Sequence, residues 1–364
     1  MDTSDPDIEF DAQGICNHCK TMVERVSTAV QIRSDRLQSI VEQIRAEGRG
    51  KTYDCVLGIS GGVDSTYTAY LAKTLGLRPL AVHLDNGWNS ELAVKNIEHV
   101  LNKLSLDLYT HVLDWEEFRD LQVAFLRAST PDAEIPTDHA ISAVLFRVAL
   151  QEGVRYIIAG TNLVTEGILP KAWTYGVYDW RYIKGVHARY GKMPLRTYPH
   201  FSVMDRIMNY FARRLRVVCP LNYVTYNKSD AILTLQNELG WRKYGDKHGE
   251  SVYTKFFQGY ILPTKFSIDK RRAHLSALII SGQITRETAL EQLMSSPLTE
   301  KHERELREYV IKKLELTQES FDDIMALQRR SYKDYPNYES IVALITPAIR
   351  IGKKMGIIPP TVGL

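Results

Sequence analysis

No run of apolar residues in the 364-residue chain approaches the ~20 needed to cross a bilayer as a helix. The opening residues, Met1-Asp2-Thr3-Ser4-Asp5-Pro6, are acidic and polar, unlike the start of a secretory signal. Four cysteines, only two of them close together, are too few for a disulfide framework. These absences predict a cytoplasmic, reduced protein with no membrane partner. Excess charge is scarce as well. The net charge of +3 gives no reason to expect nucleic acid as a partner, although a local basic patch stays open. No internal repeat or low-complexity tract is visible. What remains is ordinary globular material, 44% apolar and 24% charged, and long enough for one large domain with an appendage or for two domains.

Hydrophobic spacing divides the chain into three parts. Residues 1–50 hold a Cys-x-x-Cys segment and a helix over 21–47, where Val26, Val30, Leu37, Ile40, Val41 and Ile44 recur at helical spacing. Residues 51–225 alternate strands and helices, which predicts an α/β domain with a parallel sheet covered on both faces. The strands are expected at Tyr53 to Ile59, Pro79 to Leu84, Leu106 to Leu113, Tyr156 to Ala159 and Val217 to Leu221. Residues 226–364 read as mainly helical. Between 161 and 200 the alternation breaks into a stretch rich in Gly, Pro and aromatics, including Trp173, Tyr175, Tyr178, Trp180, Tyr182 and Tyr190. A connection of that length is usually functional or disordered, and its aromatics argue against disorder.

The strongest chemical signal follows the first strand: Ser60-Gly61-Gly62-Val63-Asp64-Ser65. The glycines let backbone N–H groups approach an anion, and the following helix aims its positive end at the same place. Ser60 and Ser65 add hydroxyls. Asp64 is a candidate ligand for a magnesium ion bridging phosphates. The string lacks the Gly-Lys-Ser/Thr ending of a Walker loop and the spaced glycines of a dinucleotide fold. Two other segments fall at strand ends, where α/β folds bind ligands. One holds Asp85, a candidate nucleotide contact that reads equally well as a turn residue. The other is Gly160-Thr161-Asn162-Leu163-Val164-Thr165-Glu166.

The loop resembles that of the ATP pyrophosphatases, relatives of the GMP, NAD and asparagine synthetase domains. The Gly160 to Glu166 segment resembles the matching loop of NAD synthetases. Over nearly the whole chain the sequence is similar to the N-acetyl sugar amidotransferase family of lipopolysaccharide O-antigen and pseudaminic-acid biosynthesis. That wider resemblance rests on Phe10-Asp11 to Cys19, Asp85 to Ser90, Pro136-Thr137-Asp138-His139-Ala140, Gly160-Thr161-Asn162 and Lys247-His248-Gly249-Glu250-Ser251. It implies an adenine-nucleotide α-hydrolase-like core with helical extensions at both ends. It implies that ATP adenylates the acetamido oxygen of a sugar carried on a nucleotide, and that ammonia then displaces AMP to leave an acetamidino group. Ser60, Gly61, Gly62, Asp64, Ser65, Asp85, Gly160, Thr161 and Asn162 would bind the nucleotide. Asp64, Glu166 and Lys247 would serve catalysis. Lys265, Arg271 and Arg272 are further cationic candidates, though solvated surface charge explains each as well. The aromatics from Trp173 to Tyr190 suit sugar stacking or core packing. A separate glutaminase subunit, with a cyclase-like subunit as a further partner, would deliver the ammonia.

Cys16 and Cys19 have zinc-ligand spacing, but one pair is half of a tetrahedral site. His18 or Cys219 completes it only if the fold permits. Two rival readings share the loop. A tRNA thiolase would need a sulfur-handling cysteine near it, for which Cys219 is the candidate. A nucleotide-binding partner module would have lost its chemistry.

Overall fold

The structure, a computed structural model, describes residues 1–30, 33–244 and 249–354. Five strands form one parallel sheet in the order β3-β2-β1-β4-β5. They are β1 (Cys55–Gly58), β2 (Pro79–Asp85), β3 (Leu108–Val112), β4 (Tyr156–Ile158) and β5 (Arg216–Val218). The first helices are α1 (Asn17–Val30), α2 (Arg33–Glu47), α3 (Val63–Thr74), α4 (Glu91–Leu104), α5 (Trp115–Ala128) and α6 (Ile135–Gln151). The expected parallel α/β sheet is present, with strand ends shifted by one to three residues.

The central strands are apolar on both sides because each side is covered. Cys55, Leu57, Tyr156 and Ile158 pack with Val41 and Ile44 of α2, Ala69 and Ala72 of α3, and Ile97 of α4. Val56, Leu80, Val82 and Ile157 point the other way, onto Phe125 of α5 and Val144 of α6. Edge strand β3 differs: Leu108 and Val112 are exposed.

The aromatic stretch is ordered. It contains α7 (Leu163–Glu166) and α8 (Trp180–Tyr190), followed by α9 (Val203–Phe211). Trp173 and Tyr182 are wholly buried, so core packing accounts for them. The chain continues through α10 (Lys228–Leu239), α11 (Val252–Phe256) and a π-helix over Phe257–Phe266. Pro263 lies inside that π-helix and has no N–H to donate to a regular ladder. Then come α12 (Arg271–Ile280), α13 (Arg286–Met294), α14 (Glu300–Lys313), α15 (Gln318–Ala326) and α16 (Glu339–Lys354). Phe256, Phe257, Val310 and Phe321 join the same core cluster as Phe125, so this helical region extends one face of the sheet. Each such side chain, fully buried, contributes about 1.5–3 kcal/mol.

Candidate active site

In this strand order the chain direction of build-up reverses between β1 and β4. A crevice opens there at the carboxyl ends of the strands. Two segments meet in it. One is the Ser60–Ser65 loop after β1. The other is the Gly160–Asn162 turn after β4. They touch through backbone: a Cβ on Gly160 would lie 2.7 Å from Ser65 Cα and 2.8 Å from its nitrogen. Only glycine fits.

Gly61 has φ +82, which a side chain would strain. Its carbonyl accepts from Trp241 Nε1 at 2.9 Å and from the Tyr244 hydroxyl at 2.8 Å. Two rings from beyond α10 therefore hold the loop from behind. Ser60 and Ser65 meet across it, Oγ to Oγ at 3.0 Å, and Ser60 N–H donates to Ser65 Oγ at 3.2 Å.

The end of α3 is the telling feature. Ser90, Asp114 and Asn227 cap α4, α5 and α10 with side-chain oxygens. The capping residue of α3 is Gly62, which has no side chain to offer. The first N–H groups of α3 are thus left facing the crevice, as an anion site requires.

Asp64 lies in the first turn of α3. Its Oδ1 accepts from the Tyr226 hydroxyl, and its Oδ2 accepts from Asn162 Nδ2 at 3.3 Å and Thr165 Oγ1 at 3.2 Å. Asn162 also caps α7, its Oδ1 accepting from Thr165 N–H at 2.9 Å. Asn162 is thus a bracket between the two loops. Thr161 is exposed, with its hydroxyl 3.2 Å from Cys219 Sγ. Glu166 ends α7; burial above all, with the charge of Glu166 as a lesser contribution, raises the pKa of Tyr226 and of Cys219. Asp64 and Glu166 would hold a magnesium ion, which needs only one or two protein carboxylates when phosphates complete its shell.

Asp85 stands at the end of β2, where its Oδ1 accepts from Gly87 N–H at 2.9 Å and Asn89 Nδ2 at 3.2 Å. In the structure it closes a turn. Lys247 lies outside the described residues. The other cationic candidates have different work. Lys265 is buried, donates to the Ile324 carbonyl, and has its pKa lowered to about 8 by burial. Arg271 is bound to Asp269 at 2.7 Å and to the Ser295 carbonyl at 2.9 Å, and Arg272 pairs with Asp2 at 2.9 Å.

The zinc expectation does not fit. Among the described residues no group of three or more His, Cys, Asp or Glu side chains stands ready for a metal ion. His18 is taken by Asp5 at 2.5 Å.

Several contributors escaped sequence reasoning. Tyr226, Trp241 and Tyr244 carry no motif. Gly249–Ser251, by contrast, lies in a string already singled out. It folds back over the loop, with Ser90 N–H donating to the Glu250 carbonyl at 2.9 Å and the Glu250 carboxylate beside Gly62.

A family model for NAD synthase matches residues 31–168. Another, for the C-terminal domain of WbpG-like LPS biosynthesis proteins, matches residues 250–349. The chain is thus similar to NAD synthase in its first part and to WbpG-like LPS biosynthesis proteins in its second. These two matched parts are those that meet at Gly62 and Glu250. The chain also resembles the glutamine-hydrolysing GMP synthase of Pyrobaculum aerophilum, with 39% identity over 75 residues. That match covers 20% of this chain and spans 14% of the synthase's length. Among solved structures, NMN synthetase from Francisella tularensis aligns with TM-score 0.37 and 15% identity over 85% of this chain and 98% of its own. The NH3-dependent NAD synthetase from Campylobacter jejuni aligns with TM-score 0.30 and 16% identity, over 81% and 94%.

Proposed function

We propose that this protein is an ATP-dependent amidotransferase that adenylates the acetamido oxygen of a nucleotide-linked N-acetyl sugar. Ammonia then replaces AMP, giving an acetamidino sugar for a surface polysaccharide. The observation that carries the reading is the convergence at the β1/β4 crevice. The uncapped end of α3, the Asp64 carboxylate and the Gly160–Asn162 turn all face one place.

An amide carbon is a poor electrophile, and adenylation makes its oxygen a good leaving group. The α3 N–H groups and the Ser60 and Ser65 hydroxyls would grip phosphate oxygens. Tyr226, Asn162 and Thr165 hold Asp64 in one orientation before any ligand arrives, so no reorganisation is needed as charge develops. Magnesium, when bound at Asp64 and Glu166, would neutralise charge building on the departing pyrophosphate. The protein would work in the cytoplasm beside a separate glutaminase that supplies ammonia. Among the described residues no helix is long and apolar enough to cross a membrane.

The thiolase alternative depends on Cys219. Burial raises its pKa, which favours the weakly nucleophilic thiol. The decisive assay combines ATP, ammonium and a nucleotide-linked N-acetyl sugar and weighs the product. A decrease of one dalton, with AMP and pyrophosphate formed, is the expected outcome. Sulfur transfer to tRNA, or ATP binding without turnover in the presence of the partner, would sink the reading.

A further inference from the structure

The N-terminal segment, which the phosphate chemistry leaves unused, borders the active-site crevice. α1 and the turn after α7 enclose a cavity of about 190 Å³ between them. It begins one residue beyond Glu166, with Gly167, Ile168 and Leu169 forming one wall and α1 the other. The walls stand close because residue 167 is glycine: a Cβ there would run into Met22 Sδ. Arg25 Nη1 fastens the contact by donating to the Gly167 carbonyl at 3.2 Å. The path from the phosphate loop is short. Asp64 Oδ2 accepts from Thr165 Oγ1 at 3.2 Å, Glu166 comes next in the chain, and the cavity comes next after Glu166.

The lining has two characters. Met22 and Ile168 are buried and apolar, while His18, Thr21 and Arg25 bring polar groups to the same space. His18 is held in one orientation, its Nε2 donating to Asp5 Oδ2 at 2.5 Å from a carboxylate that is 1% exposed. In the neutral ring, an Nε2 that donates leaves Nδ1 to accept. An apolar floor with polar groups at its sides suits a sugar ring, whose C–H faces are apolar and whose hydroxyls lie round its edge. The volume is below the ~300–1,000 Å³ of sites for drug-sized ligands, so it suits one ring rather than a whole nucleotide-linked sugar. The Arg25 guanidinium beside it offers a cation to a phosphate attached to that ring.

We infer that this cavity is the subsite for the sugar ring of the acceptor. His18 and Thr21 take ring hydroxyls, Arg25 takes the phosphate that links the ring to its nucleotide, and the acetamido arm extends past Gly167 toward the crevice. The inference rests on the reaction proposed above for its catalytic meaning. That reaction needs the acetamido oxygen brought to about 3–3.5 Å from the phosphorus it attacks, and a ring held on the flank of Glu166 puts the arm on the crevice side. No bond is made or broken in the cavity itself. His18 is a binding residue there, and Asp5, which orients it, is a positioning residue.

The test is calorimetric titration of the full chain with UDP-N-acetylglucosamine as the probe and UDP as the control. Wild-type protein should bind the sugar nucleotide about tenfold more tightly than UDP. His18→Ala and Arg25→Met should each weaken that binding about tenfold. Because His18→Ala leaves the buried Asp5 carboxylate unpaired, Leu169→Trp supplies a second variant. Leu169 lines the cavity and is 57% exposed, so an indole there fills the space without entering the core. It too should abolish the preference for the sugar nucleotide. ATP affinity, titrated in parallel, should stay within about twofold in all three variants, whereas a merely structural role would lower it along with the melting temperature. No binding of the probe by wild-type protein, UDP bound as tightly as the sugar nucleotide, or a preference kept by both His18→Ala and Leu169→Trp would overturn the subsite. Turnover separates the two proposals. Acetamidino sugar formed with an unchanged KM in the variants sinks the subsite alone, whereas probe binding lost in the variants, with no AMP released by wild type from any acceptor sugar, sinks the proposed reaction alone.

Discussion

Asp64 shows how one residue carries two demands. Three donors fix its carboxylate, so Asp64→Asn keeps the shape but removes the charge. The variant should stay folded, with its melting temperature within a few degrees of wild type, and should release no pyrophosphate. Normal turnover in a pyrophosphate assay would refute the metal role. Gly160→Ala is the steric counterpart. Its Cβ would meet Ser65 backbone at 2.7 Å, so α3 and β4 must part. We expect a loss of about 1–3 kcal/mol in a urea titration, together with weaker nucleotide binding. His139 offers a pH signature. It is wholly buried, donates from Nδ1 to the Val177 carbonyl at 2.7 Å, and stacks 4.4 Å from Phe201. Burial lowers its pKa to about 4 from the usual 6.5. Between those values the unfolded chain binds more protons, so this group's contribution is whole above pH 6.5 and is lost as pH falls toward 4. The full effect is about 3 kcal/mol. Asp132, raised to about 6 mainly by burial, works in the opposite direction. The comparison is therefore between slopes: His139→Gln should lose stability less steeply than wild type in urea titrations from pH 6.5 to 4.

At the scale of elements, the phosphate loop, β1 and α3 were legible because the apolar run, the glycines and the serines follow one another within a dozen residues. The Gly160 to Glu166 segment was legible for the same reason. The supports were not. Tyr226, Trp241 and Tyr244 reach the loop from more than 160 residues away, as the 180-residue separation of Trp241 from Gly61 illustrates. No local spacing announces such contacts. In the 161–200 stretch the glycines and prolines hide the short amphipathic α8, whose Tyr182, Ile183 and Val186 are buried. Lys265, Arg271 and Arg272 are engaged by other partners, because charge in a sequence says nothing of the carboxylate or carbonyl that will claim it. One element-level latch is testable. Lys313 of α14 lies 4.9 Å from the Trp88 ring and 5.1 Å from Trp115, and donates to the Gly87 carbonyl. Lys313→Met should cost about 1 kcal/mol and speed hydrogen exchange at residues 87–89. Unchanged exchange there would show that α14 does not fasten the turn.

At the scale of the molecule, two parts make one site. The NAD-synthase-like part brings the loop and the crevice, and the WbpG-like part begins at the carboxylate beside Gly62. The central claim is that ATP is spent on an acetamido oxygen. It is tested most directly by placing oxygen-18 in the acetamido group of a nucleotide-linked N-acetyl sugar and weighing the AMP released in the presence of ammonium. The account predicts AMP carrying the heavy oxygen and a sugar that has lost it. AMP free of label, with acetamidino sugar still formed, would contradict it.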